Sequence, residues 1–348
     1  MSQNGKYAAA IIGCGRIASE FDDDPMMRRN YGIATHAGAY ADNPQTNLVA
    51  AADVMDEKLS KFGHRWNVPN LYKDYEEMLK KEDIDILSIC TPNATHLEIF
   101  EKAVKAGVKA IFCEKPLADS LRSADRMVAT ARKNGVTLLV NHRRRWDQLY
   151  QDVADYLRTG GLGNIEQVSC YYNAGIANTG CHLFDVLRMF FGEANTVSAW
   201  RKDAADKRDP NMDGYITFEN NVSVSIQSLD IKNYLVFEFD IYGSKGRLRI
   251  EHNGFKLSYW APVKSERFAG LNELEPQEPP IRIPEPAMFK NTVRDIVNCL
   301  QTKDQPACSG EDGVKALEII SAFHLSAKND GKAVSLPPSN REYVIESN

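Results

Sequence analysis

Five apolar runs, each separated from the next by an amphipathic stretch, dominate the first 140 residues: Tyr7–Ile12, Leu48–Ala52, Ile84–Cys90, Ala110–Cys113 and Val136–Val140. Strands that are apolar in succession, rather than in alternation, are buried on both faces, as in parallel sheets covered by helices. The intervening stretches read as helices. Ser120–Lys133, for example, has Asp119 or Ser120 as its cap and Asn134-Gly135 as its stop. The pattern predicts an α/β fold, a doubly wound parallel sheet. Polar and titratable residues follow each run: Asp53, Thr91-Pro92-Asn93, Glu114-Lys115-Pro116 and Asn141-His142. Open sheets of this kind bind ligands along that carboxyl edge.

From about Ile165 the rhythm changes. Val222–Leu229 alternates apolar and polar residues, and so does Tyr234–Tyr242, with Leu235, Phe237, Phe239 and Ile241 on one side. Half-apolar strands belong to a largely antiparallel sheet with one covered face. Two helices follow, one presenting Phe289, Val293, Ile296, Val297 and Leu300, the other around Val314–Phe323; Glu273–Pro286 reads as an extended connector. A chain of 348 residues exceeds what one hydrophobic core fills. Residues 1–143 are therefore expected to form a dinucleotide-binding domain, and 144–348 an α+β substrate-binding and oligomerisation domain. The polar sheet face can meet water or a second subunit.

The first run leads into Gly13-Cys14-Gly15-Arg16-Ile17-Ala18. Gly13 permits a tight strand-to-helix turn, Gly15 lets the backbone approach a pyrophosphate, and Ala18 lets the helix pack closely. Asp53, ending the second run, can accept hydrogen bonds from a ribose, and Val54-Met55-Asp56-Glu57 offers no arginine for a 2′-phosphate, which favours NAD over NADP. Asp53 stands about twice as far beyond Gly13 as the usual ~20 residues. The excess is Phe21–Ala34, with three aspartates, Arg28 and Arg29. It can fold over the active site or form a solvated surface insertion.

Two residues are suited to moving a proton. The Lys115 ammonium can hydrogen-bond a substrate hydroxyl and stabilise developing alkoxide character, with Glu114 positioning it. His182 opens an amphipathic segment, Gly180-Cys181-His182-Leu183-Phe184-Asp185, and is the natural base near neutral pH. Arg143 and Arg145, in the run Arg143-Arg144-Arg145, can grip a phosphate or carboxylate of the substrate, or pair with acids and water. A net charge of −5 disfavours nucleic-acid and anionic-membrane partners. No apolar run reaches the ~18 residues of a membrane span. The seven scattered cysteines lack the CxxC spacing of a zinc site, so no metal is expected. They suit free thiols in a reducing, cytoplasmic setting, and the polar Met1–Lys6 segment is not the start of a secretory signal.

Taken in order along nearly the whole chain, these motifs resemble the Gfo/Idh/MocA family, named for glucose-fructose oxidoreductase and inositol dehydrogenase. The resemblance rests on the glycine loop, Thr91-Pro92-Asn93 with His96, Glu114-Lys115-Pro116, the arginine-rich Asn141–Asp147, and Gly180–Asp185. It rests also on a closing helix from Ser309-Gly310-Glu311-Asp312-Gly313 through Ser326-Ala327-Lys328. It implies that Thr91, Pro92, Asn93 and His96 line the cofactor near its nicotinamide end, and that Glu114 and Lys115 approach the nicotinamide ribose and the substrate. His182 would be the proton acceptor, assisted by Lys115, with Asp185 an orienting or capping group. A homodimer or homotetramer is implied as well.

One departure bears on the substrate. Inositol-dehydrogenase-like members carry an aspartate four residues before the histidine, where this chain has Asn178. Asparagine can orient a hydroxyl but holds no charge beside His182. The expected activity is NAD-dependent hydride transfer between the nicotinamide and a secondary hydroxyl or ketone, on a sugar, sugar derivative or nucleotide sugar. The alternatives are a dinucleotide- or sugar-sensing regulator and a redox-assisted glycoside hydrolase.

Overall fold

The computed structural model describes residues 5–202 and 208–347, so residues 1–4 of the polar N-terminal segment lie outside the described residues. The chain forms two compact units, Met1–Asp147 with Glu285–Lys315, and Gln148–Pro284 with Ala316–Asn348.

In the first unit β1 (Tyr7–Ile12), β2 (Thr46–Ala52), β3 (Asn70–Tyr72), β4 (Ile86–Ile89), β5 (Ala110–Cys113) and β6 (Thr137–Val140) form a parallel sheet ordered β3-β2-β1-β4-β5-β6. This is the doubly wound order with its switch point beside β1. The helices are α1 (Pro25–Tyr31), α2 (His36–Asp42), α3 (Asp56–Trp66), α4 (Tyr75–Lys81), α5 (His96–Lys105) and α6 (Leu121–Asn134). The expected α6 boundaries hold: Ser120 Oγ accepts the Ser123 N–H at 3.2 Å, and Gly135 ends the helix at φ 65°. Strand β3 was not expected, because Asn70, Leu71 and Tyr72 form a short edge strand with no fully buried residue.

The strand ends are in step. Gly13 N–H donates to Ala52 O (2.8 Å), Cys90 N–H to Ile12 O (2.8 Å), Glu114 N–H to Ile89 O (2.9 Å) and Asn141 N–H to Cys113 O (2.9 Å). Each residue just past a strand is thus tied to the last residue of its neighbour. Gly13, Cys90, Glu114 and Asn141 form one row across the carboxyl edge.

The helix expected straight after the glycine loop is interrupted. One helical turn closes with Ser19 N–H to Gly15 O at 3.0 Å, and the chain then leaves through a 3-10 turn, Glu20–Asp23, and α1. It returns at α2, whose first amides bond back to that turn: His36 N–H to Ile17 O (3.2 Å) and Ala37 N–H to Ala18 O (3.0 Å). The insertion therefore splits one helix into a turn and α2 and leaves the two pieces hydrogen-bonded end to end. That accounts for the long separation of Gly13 from Asp53. Asp22 anchors the loop: it is buried, accepts the Ala34 N–H at 2.7 Å, and also accepts the Thr35 hydroxyl.

The second unit holds α7 (Gln148–Arg158), β7 (Ile165–Tyr172), α8 (Cys181–Phe191), β8 (Ala194–Arg201), β9 (Met212–Phe218), β10 (Ser223–Ser228), β11 (Phe237–Gly243), β12 (Gly246–Glu251), β13 (Lys256–Lys264) and β14 (Asn272–Gln277). Helix α9 (Met288–Thr302) returns to the first unit, α10 (Gly310–Lys328) passes from first to second, and β15 (Val334–Ser335) follows. Among the described residues the sheet runs β14-β13-β12-β11-β7-β10-β9-β8-β15, antiparallel except for β7 with β10. Val224 and Ile226 point into the core while Gln227 is exposed, as the alternation predicts. Leu235 is the exception: it precedes β11 and is 61% exposed. Part of the expected connector Glu273–Pro286 is strand β14, paired antiparallel to β13. Charged residues and Pro276 hide the signal there, yet both are ordinary on an edge strand held by its backbone.

Candidate active site

Gly13 has φ +90°, and a Cβ there would lie 2.7 Å from Cys90 O, so the crossing of loop and β4 exit requires glycine. A Cβ on Gly15 would meet nothing within 4 Å, which leaves its backbone open to a bulky anion. Asp53 braces this cradle from the next strand. Its Oδ2 accepts the Cys14 N–H at 2.7 Å and its Oδ1 the Met55 N–H at 2.8 Å. A carboxylate has about four lone-pair sites, so acceptor capacity remains for ribose hydroxyls. Val54 is 85% exposed beside it, and no cation stands in the following three positions. The open glycine loop and the strand-end carboxylate fit NAD. Arg16 covers the Phe21 ring at 4.7 Å, linking the loop to the insertion.

At the β4 exit a 3-10 turn, Asn93–Thr95, leads into α5. Thr91 Oγ bonds Thr95 Oγ at 2.7 Å, Pro92 is exposed, and the buried Asn93 amide donates to Ala118 O at 3.4 Å. His96 is fully buried, with Nε2 2.8 Å from Thr91 O and Nδ1 3.1 Å from Leu117 O. Burial lowers its pKa. The ring ties the β4 exit to the segment after β5.

At the β5 exit Glu114 is buried and Lys115 half-buried. Glu114 Oε1 accepts from His36 Nε2 at 2.9 Å and from Asn141 Nδ2 at 2.6 Å, and Oε2 accepts the Lys115 N–H at 3.3 Å. Burial pushes the Glu114 pKa up, but His36, Lys115 and Asn141 outweigh it and hold it at about 2. Beyond β6, Arg143 lies over the Tyr31 ring at 5.0 Å, Arg144 is buried, and Arg145 pairs with Asp312 at 3.3 Å. The insertion thus reaches the arginine run through Tyr31.

The other candidates lie in the second unit, on the segment after β7. Gly175 has φ +92°, where a Cβ would collide with Asp209. Asp209 is fully buried and accepts the Ala177 N–H (2.8 Å) and Asn178 N–H (2.9 Å), at the start of a π-helical turn, Ile176–Gly180. That turn runs directly into α8, with half-buried His182 as its second residue. Asp209 therefore caps, from another part of the chain, the helix start bearing Asn178 and His182. Asp185 is 1% exposed and lies 3.8 Å from Arg188, one turn along α8.

Sequence reasoning missed His36 and Asp209. Thr35 before His36 has the look of a helix cap, and its Oγ does accept the Gly38 N–H at 3.0 Å. That signal marks a helix start, not a buried imidazole. Asp209 lies in a stretch with no periodicity, and only tertiary contact reveals it.

A doubly wound sheet with this cradle, followed by a largely antiparallel α/β unit, defines a two-domain nicotinamide-dependent oxidoreductase. The chain belongs to the Gfo/Idh/MocA oxidoreductase family: residues 7–142 match its NAD-binding Rossmann fold and residues 176–336 its C-terminal alpha/beta domain. It is similar to a D-apiose dehydrogenase of Paraburkholderia graminis, 27% identical over 95% of this chain and 90% of that one. A myo-inositol 2-dehydrogenase of Thermotoga maritima is 31% identical over 78% of this chain and 85% of its own. Among solved structures, the WlbA dehydrogenase of Bordetella pertussis, in complex with NADH and UDP-GlcNAcA, superposes with a TM-score of 0.77 at 20% identity. That match covers 95% of this chain and 99% of the other.

Proposed function

We propose that this protein is an NAD-dependent dehydrogenase acting on a secondary hydroxyl, or the corresponding ketone, of a sugar, sugar derivative or nucleotide sugar. The observation that carries the reading is the in-step row of strand exits, which puts an open glycine cradle and the Glu114-Lys115 pair on one edge. Relatives named for apiose and myo-inositol support a polyhydroxylated substrate.

When bound, NAD supplies the hydride acceptor for oxidation, and NADH the donor for reduction. Gly13, Gly15, Arg16 and Ile17 bind the pyrophosphate in this reading, and Asp53 the adenosine ribose. Thr91, Pro92, Asn93, His96 and Glu114 shape the nicotinamide side. Lys115 donates a hydrogen bond to the substrate oxygen and steadies its alkoxide character, and His182 accepts the hydroxyl proton. Asn178 orients a neighbouring hydroxyl, while Asp185 holds α8. Arg143 engages an acidic substituent, and Arg145, paired with Asp312, supports it.

No helix among the described residues is long and apolar enough to cross a membrane. The seven cysteines are free thiols, which supports a cytoplasmic setting. We assign the second unit to substrate binding and to assembly as a homodimer or homotetramer. Exposed Tyr215 and Gln227 on neighbouring strands leave one sheet face available for that assembly.

Absorbance of reduced nicotinamide, read with NAD or NADP against free sugars, inositols, sugar phosphates and nucleotide sugars, tests the function. One substrate class should respond with NAD, and Lys115→Met should lower kcat by about 10²–10⁴-fold with NAD affinity nearly unchanged. Full turnover in that variant removes Lys115 from the reaction. Silence across the panel overturns the dehydrogenase reading.

A further inference from the structure

His36 stands where the interrupted helix resumes, and its ring is completely buried. It packs 4.3 Å from the Phe112 ring and 5.4 Å from the Phe289 ring. Two polar groups meet it. Nδ1 lies 2.9 Å from Ser88 Oγ on β4, and Nε2 lies 2.9 Å from Glu114 Oε1 at the β5 exit. Ser88 in turn shares a 2.7 Å hydrogen bond with Tyr40, one turn along α2 from His36. An ionised carboxylate only accepts, so His36 Nε2 carries a hydrogen and donates it to Glu114. Asn141 donates to the same oxygen, and the other oxygen of Glu114 takes the Lys115 amide. The line Tyr40–Ser88–His36–Glu114 is thus a buried chain that ends on the backbone of Lys115.

A dry carboxylate is costly unless its lone pairs are met, and a chain of hydrogen bonds in a low-dielectric interior strengthens each member. We propose that His36 is a positioning residue for the reaction: it fixes Glu114 as a carboxylate, which orients Lys115 toward the substrate oxygen. The proposal rests on the reading of Lys115 as the donor to that oxygen. It extends the site to a residue on the far side of Glu114.

Two thiols, the His96 imidazole and the Lys115 ammonium also stand near Glu114. Burial, with Glu114's own charge, raises the Cys90 and Cys113 thiols well above their usual range. Burial lowers His96. Loss of the His36 donor should therefore appear as Glu114 taking up a proton at a higher pH than before. The reduction direction isolates this event, because His182 must be protonated there and limits only the alkaline limb.

The test is His36→Phe, which keeps a ring without a donor, against His36→Gln, which restores an N–H. Both are made in the full chain, with NAD affinity, KM, and kcat for ketone reduction measured across pH. His36→Phe should lower kcat about tenfold or more, leave NAD affinity and KM within about twofold, and move the acid limb of kcat upward. His36→Gln should recover most of the rate and return the limb. If His36→Phe fails to fold, Asn141→Ala removes the other donor to the same oxygen and should move the limb the same way. An unmoved limb in every folded variant overturns the proposal, as does equal loss in Phe and Gln variants with an unmoved limb. Lys115→Met alongside separates the two readings: full activity there overturns both, whereas an inactive Lys115→Met with an unaltered His36→Phe overturns this one alone.

Discussion

At the scale of single residues, the site depends on positions that no other side chain can fill. Gly13→Ala would put a methyl 2.7 Å from Cys90 O on a backbone with φ +90°. The strain costs about 1 kcal/mol or more, and the displaced loop should lose over about tenfold in NAD affinity, read by titration. Titratable residues give a second expectation, on stability. His324 is buried, and burial, aided by the charges of Arg201 and Lys328, lowers its pKa from 6.5 to about 4. Between those values the unfolded chain binds a proton that the folded one refuses, so stability falls as pH drops through that window. Denaturant midpoints should therefore fall between pH 6.5 and 4, and more shallowly in His324→Phe. Glu114 acts lower. Its depressed pKa, about 2 against 4.5, adds stability that is complete above the unfolded value and lost as pH falls through the folded one.

At the scale of elements, the insertion is the least expected piece. Its helix α1 buries no residue, so Asp22 and the end-to-end bonds of α2 hold it in place rather than a core. Asp22→Ala should cost about 1–2 kcal/mol and speed amide exchange over 21–34, while leaving NAD affinity intact. Equal exchange in both proteins would show that Asp22 is not the anchor. What could be read from sequence follows the same logic. Strands β1 and β5 have the expected bounds because their apolar runs are continuous and abruptly ended. The split helix, β3 and β14 were hidden, since edge strands need no apolar pattern and an insertion erases periodicity. The glycine cradle and Glu114-Lys115 were legible as motifs. His36 was not, because its role depends on Ser88 and Glu114, 52 and 78 residues away.

At the scale of the molecule, cofactor affinity and folding stability are linked. NAD at 100 times its Kd should add about 2.7 kcal/mol to the stability of the form that binds it. A thermal melt should therefore rise with NAD and rise less with NADP at equal concentration, since Asp53 would face a 2′-phosphate. The split helix has a wider consequence. Its two pieces bond to each other through Ile17, Ala18, His36 and Ala37, although the covalent chain leaves and returns between them. Such a junction behaves as a splice: hydrogen bonds alone carry the helix across a detour in the covalent chain, so the segment that departs at Ala18 rejoins at His36 on the same line.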